Sequence, residues 1–187
     1  MIELPDFLSK CKRGPQVVLP KDIGMIIAYT GVGKESACVD AGAGSGFLAI
    51  ALGNVCKSVV SYEWRADFAE LSEKNVKKSG VAGVTIKQKS VFDGIDEKDV
   101  DLVTLDLADS DKAVAHAFGA LKKGGHCVGY LPHAEQVKKF ATASKEAGFS
   151  EVFCIESIVR EILVRDAGVR PANMGLTHTA YLVFAKK

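Results

Sequence analysis

The sequence predicts a doubly wound α/β domain, a mostly parallel seven-stranded sheet with an antiparallel last strand and helices on both faces. Three observations carry this. The stretch Cys38-Val39-Asp40-Ala41-Gly42-Ala43-Gly44-Ser45-Gly46 is a short apolar run ending in an acid and glycines at alternate positions, and Phe47 to Leu52 then reads as a helix. From residue 37 onward, strand-length apolar runs alternate with helix-length segments, the pattern of parallel strands joined by crossover helices. The last two apolar runs have no helix between them, which suits a strand inserted antiparallel in the edge region.

Taken in order, residues 1 to 15 form a lead-in with a small basic cluster, Lys10, Lys12 and Arg13, broken at Gly14-Pro15. Pro20 can open a helix at its first turn. Ile23, Met25, Ile26 and Ile27 give that helix an apolar face, and Gly31 to Lys34 end it. Strands are expected at about 37–41 and 58–63. Ala66 to Lys78 is an amphipathic helix with Phe68, Leu71 and Val76 on one side, closed by Gly80. Strands follow at 84–89 and 100–107. Asp109 or Ser110 can cap a helix running to Leu121. Gly124-Gly125 reads as a turn into a strand at 126–131, and Ala134 to Ala147 as a helix that His133 can cap. A strand is expected at about 151–155, irregular chain over 163–178, and a last strand at 179–185.

The bulk numbers suit one globular domain, residues 1–187. Hydrophobic residues make up 48%, charged residues 25%, and the net charge is +1, so nothing draws the whole molecule to nucleic acid, although a local basic patch can. The five cysteines, Cys11, Cys38, Cys56, Cys127 and Cys154, form no C-x-x-C and read as reduced, mostly buried thiols of a cytoplasmic protein. No apolar run approaches a membrane span, and the start lacks the pattern of a signal peptide. No His/Cys group has metal-ligand spacing, so no metal site is expected. His116 and His126 read as surface or packing residues, and His178 as a residue that orders the tail.

The glycine loop carries the chemistry. Glycine admits positive φ and close backbone approach, and a helix start offers free N–H groups. A dinucleotide fingerprint would place its third glycine where Phe47 stands, and a phosphate-binding loop would need Gly-Lys-Ser/Thr. The frame D-x-G-x-G-x-G instead resembles motif I of the S-adenosylmethionine (SAM) methyltransferases, which have a Rossmann-like fold and whose second strand ends in an acid that binds both ribose hydroxyls. Val59-Val60-Ser61-Tyr62-Glu63 reads as that strand, with Glu63 about 21 residues after Gly42, near the spacing used for ribose. Gly42 to Gly46, Glu63, Ser90 and Asp106 all fall at carboxyl ends of expected strands, where open α/β sheets bind ligands.

Further segments resemble one family, the tRNA (adenine-N1)-methyltransferases that modify a T-loop adenine. These are Arg13-Gly14-Pro15-Gln16-Val17-Val18-Leu19-Pro20-Lys21-Asp22, Ser61-Tyr62-Glu63 with Arg65 and Asp67-Phe68, Leu105-Asp106-Leu107, Gly129-Tyr130-Leu131-Pro132 with Glu135-Gln136-Val137, Arg170-Pro171, and the tail from His178 to Lys187. The resemblance covers about residues 12 to 187. It implies SAM as cofactor, S-adenosylhomocysteine (SAH) as product, tRNA as partner and a homo-oligomer, tetramer or dimer. It implies that Gln16, Asp40, Gly42, Gly44, Ser45, Gly46, Phe47, Leu48, Glu63, Ser90 and Val91 bind the cofactor and that Asp106 sits beside the target base. Trp64 either packs on the cofactor adenine or covers the sheet edge.

The sequence also departs from the family. Leu19 stands where an aromatic usually precedes Pro-Lys-Asp. Ser90 stands where an acid usually reads the cofactor adenine. Ala108-Asp109-Ser110-Asp111 replaces a loop usually stiffened by prolines and carrying a tryptophan. The family's small N-terminal β domain has no room before Lys12, which suggests a separate RNA-binding partner. Two rival readings follow: a small-molecule methyltransferase like those acting on corrinoid precursors, or a non-catalytic SAM-binding partner subunit.

Overall fold

The apolar runs assemble into one sheet. A computed structural model describes residues 4–14, 16–173, 175 and 177–187; Pro15, expected to break the lead-in, and residues 1–3 lie outside the described residues. The strands are β1 (Ala37–Ala41), β2 (Ser58–Tyr62), β3 (Val84–Lys87), β4 (Val100–Leu105), β5 (Leu121–Leu131), β6 (Glu151–Glu156), β7 (Ile162–Arg165), β8 (Gly168–Pro171) and β9 (Tyr181–Lys186). Seven of them form the sheet in the order β3-β2-β1-β4-β5-β9-β6. β1 to β5 pair in parallel, and β9 enters antiparallel between β5 and β6.

Alternation along the central strands feeds two cores. Cys38, Leu102, Val128, Leu182 and Phe184 face one side, against α1 (Asp6–Ser9), α2 (Pro20–Thr30) and α3 (Phe47–Gly53). Val39, Val103, Cys127, Val183 and Ala185 face the other, against α5 (Ser110–Ala120) and α6 (Ala134–Ala147). In α3, Phe47 to Leu52 are all buried, so this helix is enclosed as far as its last residue, Gly53. α4 (Ala66–Ser79) packs beside α1 and α3 and ends at Gly80 in the left-handed conformation.

Two expectations are corrected. Residues 162–171 are not irregular: β7 and β8 pair as an antiparallel hairpin, Arg165 opposite Gly168. Gly124-Gly125 does not turn into β5 from outside. The strand already begins at Leu121, and the register jumps from Val100↔Leu121 to Leu102↔His126, so residues 122–125 bulge opposite Asp101. The tail is pinned as the sequence suggests: His178 Nδ1 lies 2.6 Å from Glu156 Oε1 and Nε2 lies 2.9 Å from the Pro132 carbonyl. Lys21 Nζ donates to Asp22, Thr179 Oγ1 and the Ser157 carbonyl, which ties the start of α2 to the same tail. The described cysteines are free thiols, buried except Cys154. No helix among the described residues is long and apolar enough to cross a membrane.

The chain winds outward from β1 in one direction through β2 and β3, and in the other from β4 onward. The switch therefore falls between the carboxyl ends of β1 and β4, where Gly42 and Asp106 stand.

Candidate functional site

Backbone contacts bring the strand ends together first. The Asp106 N–H donates to the Ala41 carbonyl at 2.9 Å, and the Gly42 and Ala43 N–H groups both reach the Tyr62 carbonyl. Gly42 has φ +92°, and a Cβ there would stand 2.1 Å from the Asp106 carbonyl oxygen, so only glycine lets the loop pass this close to β4. Gly44 has φ +54° and open space above it: a Cβ there would meet only the Gly42 carbonyl oxygen, at 3.8 Å.

Two joined hollows result. The smaller, about 40 Å³, is lined by Gln16, Val17, Val18, Asp40, Gly42 to Ser45, Phe47, Leu48 and Asp106. The larger, about 400 Å³, is lined by Tyr62, Glu63, Trp64, Arg65, Phe68, Lys89, Ser90, Val91, Phe92, Leu107 and Ala108. Gln16, Gly42, Gly44 and Asp106 line both and form the junction.

Every cofactor residue expected from the sequence lines this cleft except Gly46. That glycine is the N-cap of α3 at φ +79°, and a Cβ on it would meet Ser72 at 3.4 Å, so its place is in helix packing. Asp40 reaches the cleft wall, but both its oxygens already accept hydroxyls, Ser61 Oγ at 2.6 Å and Thr104 Oγ1 at 2.7 Å. Burial pushes its carboxyl up while those two hydroxyls pull it down. Ser90 Oγ accepts from the Phe92 N–H at 3.2 Å and keeps a donor and a lone pair. Trp64 is 66% exposed at the mouth. Sequence reasoning gives no role to Arg65, Lys89, Phe92, Leu107 or Ala108; Arg65 is within its reach, standing two residues past the strand-end acid.

Glu63 is 3% exposed, and its carboxylate is fully engaged. Oε2 accepts the Gly44 N–H at 3.0 Å; Oε1 accepts the Arg65 N–H and Nε, each at 3.1 Å. The acid thus braces the glycine loop as well as facing the cleft. Asp106 has its carboxyl pushed up from 3.8 to about 7, by burial first and by the nearby Asp40 second. It stands at the junction of the two hollows.

The site fits an adenosine-bearing amino acid. Among the described residues, Ser45, which lines the smaller hollow, has a buried Oγ with no hydrogen-bond partner, a polar group that a turn of the side chain can offer to a ligand. Beside it lie the loop's open backbone over Gly44 and the side chain of Gln16. The larger hollow sets Glu63, and Asp106 at the junction, among aromatic and aliphatic walls suited to a nucleoside. No group of three or more side chains able to hold a metal ion occurs among the described residues.

The chain is similar to known proteins in sequence and in fold. The chain is 38% identical over 97% of its length to the tRNA (adenine(57)-N(1)/adenine(58)-N(1))-methyltransferase TrmI of Methanocaldococcus jannaschii, covering 75% of that protein. It superposes with TM-score 0.92 on a SAM-dependent O-methyltransferase of Thermotoga maritima, 33% identical, covering 98% of this chain and 71% of that one. On tRNA (m1A58) methyltransferase TrmI of Aquifex aeolicus the TM-score is 0.89 at 25% identity, covering 96% of this chain and 73% of that one. With a glycine loop, a strand-end acid and a junction aspartate at the switch of a methyltransferase sheet, and with a family model matching residues 9–180, the chain belongs to the family described as the tRNA methyltransferase complex GCD14 subunit.

Proposed function

We propose that this chain is a single methyltransferase domain that transfers the methyl group of SAM to ring nitrogen 1 of an unpaired adenine in tRNA. The observation that supports it most directly is the meeting of Asp106 with the glycine loop at the junction of the two hollows, in a chain of this family.

Bound in the cleft, SAM supplies an electrophilic methyl group on a sulfonium. Glu63 holds the ribose hydroxyls; Trp64, Ser90 and Val91 receive the adenine end; Ser45, Gln16 and the backbone around Gly44 receive the amino-acid end. The buried Ser45 hydroxyl then has its partner. Ring nitrogen 1 of the acceptor adenine already carries a lone pair, so no base is needed to deprotonate it. Its reaction leaves the ring cationic. Asp106 accepts a hydrogen bond from the exocyclic amine and stabilises that developing charge. The hollows around it orient the two reacting atoms. Ring nitrogen 1 lies on the pairing edge, so the base must be turned out of its stack. Leu107 and Ala108 wall this side, where the family's aromatic is missing.

The lead-in supplies a basic flank for the RNA backbone. Asn75 of α4 holds Lys12 by both backbone groups, which sets exposed Lys10, Lys12 and Arg13 beside the end of α4 with Lys77 and Lys78. The β7–β8 hairpin supports assembly with further copies, since Ile162, Val164 and Val169 are 50%, 77% and 66% exposed. Light scattering on the purified protein tests this: a dimer or tetramer is expected, dissociated by Val164→Glu, and a monomeric wild type refutes it.

The functional test is transfer of labelled methyl from SAM to unmodified tRNA, with nucleoside analysis of the product and SAM binding measured on the same sample. The expected product is 1-methyladenosine. Glu63→Ala is expected to lose most SAM affinity; unchanged binding would remove that residue from the site. Clear SAM binding with label on a small molecule, or on none, would replace the tRNA reading.

A further inference from the structure

The surroundings of the Glu63 carboxylate divide into two kinds of donor. The Gly44 and Arg65 backbone N–H groups are fixed in the loops and cannot leave. The Arg65 guanidinium is different. Its Nε donates to Oε1 at 3.1 Å and its Nη2 to Oε2 at 3.4 Å, while the group lies 3.9 Å from the centre of the Phe68 ring. That side chain is 43% exposed and has solvent to move into, whereas the Glu63 side chain is 2% exposed. A carboxylate offers about four acceptor positions. Two backbone and two guanidinium donors fill them, and a vicinal diol needs two. The guanidinium fork presents its paired N–H donors to the same acid that the diol must reach.

We propose that Arg65 occupies the diol-binding positions of Glu63 before an adenosine-bearing ligand binds and must be displaced when it does, so that it sets cofactor affinity by competition. This rests on the reading of Glu63 as the ribose acid. The backbone N–H groups keep the carboxylate in place during the exchange, and the guanidinium neutralises an otherwise isolated buried charge until the hydroxyls arrive. Arg65 is thus a positioning residue whose removal helps binding, the opposite of a ligand contact.

Calorimetry of SAH binding at pH 8 tests it, with wild type, Arg65→Ala, Arg65→Lys and Glu63→Ala, at about 0.05 M and about 0.5 M salt. Arg65→Ala keeps both backbone donors. It is expected to bind SAH about twofold to fivefold more tightly than wild type, the range for losing a half-exposed ion pair. Arg65→Lys, which keeps the charge without the fork, should fall between them. High salt should tighten binding to the wild type and leave Arg65→Ala unchanged. In turnover, Arg65→Ala should lower the KM for SAM with kcat unchanged. Equal or weaker SAH binding by Arg65→Ala, or a salt response that persists in it, overturns the proposal. A wild type that does not bind SAH, or a Glu63→Ala variant that binds as well as wild type, overturns the site reading itself and the Arg65 proposal with it. Thermal melts confirm that each variant is folded.

Discussion

Asp106 shows function and stability pulling apart in one side chain. Its carboxyl titrates at about 7 in the fold against an ordinary 3.8, because burial and Asp40 both oppose its charge. Between those values the folded protein holds a proton that the unfolded chain has lost, so stability falls as pH rises from about 4 to about 7 and then levels. Asp106→Asn removes that penalty. Its Tm at pH 8 should exceed that of wild type by a few degrees, with the gap closing by about pH 4. Methyl transfer should meanwhile drop by about 10²–10³-fold. A sulfonium brought into the same cleft favours the ionised acid, so SAM should bind up to about tenfold more tightly at pH 8 than at pH 6, and SAH, without that charge, much less so. Equal pH slopes for the two ligands would separate Asp106 from the sulfonium. Neighbouring Asp40 illustrates a different use of a buried acid: its hydroxyl partners Ser61 and Thr104 stand on β2 and β4, so it fastens three strands at the floor of the site.

At the scale of elements, Asn75 does more than its place on an amphipathic helix suggests. Fully buried, it receives the Lys12 N–H at 2.8 Å and donates to the Lys12 and Ser45 carbonyls at 2.9 and 2.8 Å. One side chain therefore fastens the lead-in to the glycine loop. Asn75→Ala leaves those groups unpaired, at a cost of about 2–4 kcal/mol. Limited trypsin digestion should then cut faster at Lys10, Lys12 and Arg13, and SAM should bind more weakly because Gln16 is no longer held at the junction. Unchanged digestion would limit Asn75 to local packing. Some elements are legible in the sequence and others are hidden, for physical reasons. The strands at 37–41 and 58–62 and the helix at 134–147 announce themselves because one or both faces are buried. The β7–β8 hairpin does not, because most of its side chains are exposed and no core imposes a period of two. Gly124-Gly125 reads as a turn because a bulge needs the same conformational freedom; Gly124 has φ +81°. In the site, the glycine loop and Glu63 are readable from spacing and Asp106 from its strand-end position and the family resemblance, whereas the bond from Arg65 to Glu63 depends on where the chain turns after β2.

Taken whole, the molecule joins its halves at the site and closes them elsewhere. The β1–β4 pair carries the cleft, and β9 locks the far side through ladders with both β5 and β6. Among the described residues, β6 has no other partner in the sheet. On the ribosome, β1 to β5 can therefore order, and the cleft with them, while residues 151–156 wait with nothing to pair against until Lys186 has emerged. During that interval Phe153 and Ile155 have no strand to cover them, and the edge of β5 that β9 will occupy is open as well. The nascent protein thus possesses its binding site before it possesses a finished sheet, and that delay is the moment at which a chaperone, or the matching strand of a neighbouring chain, finds an edge to occupy.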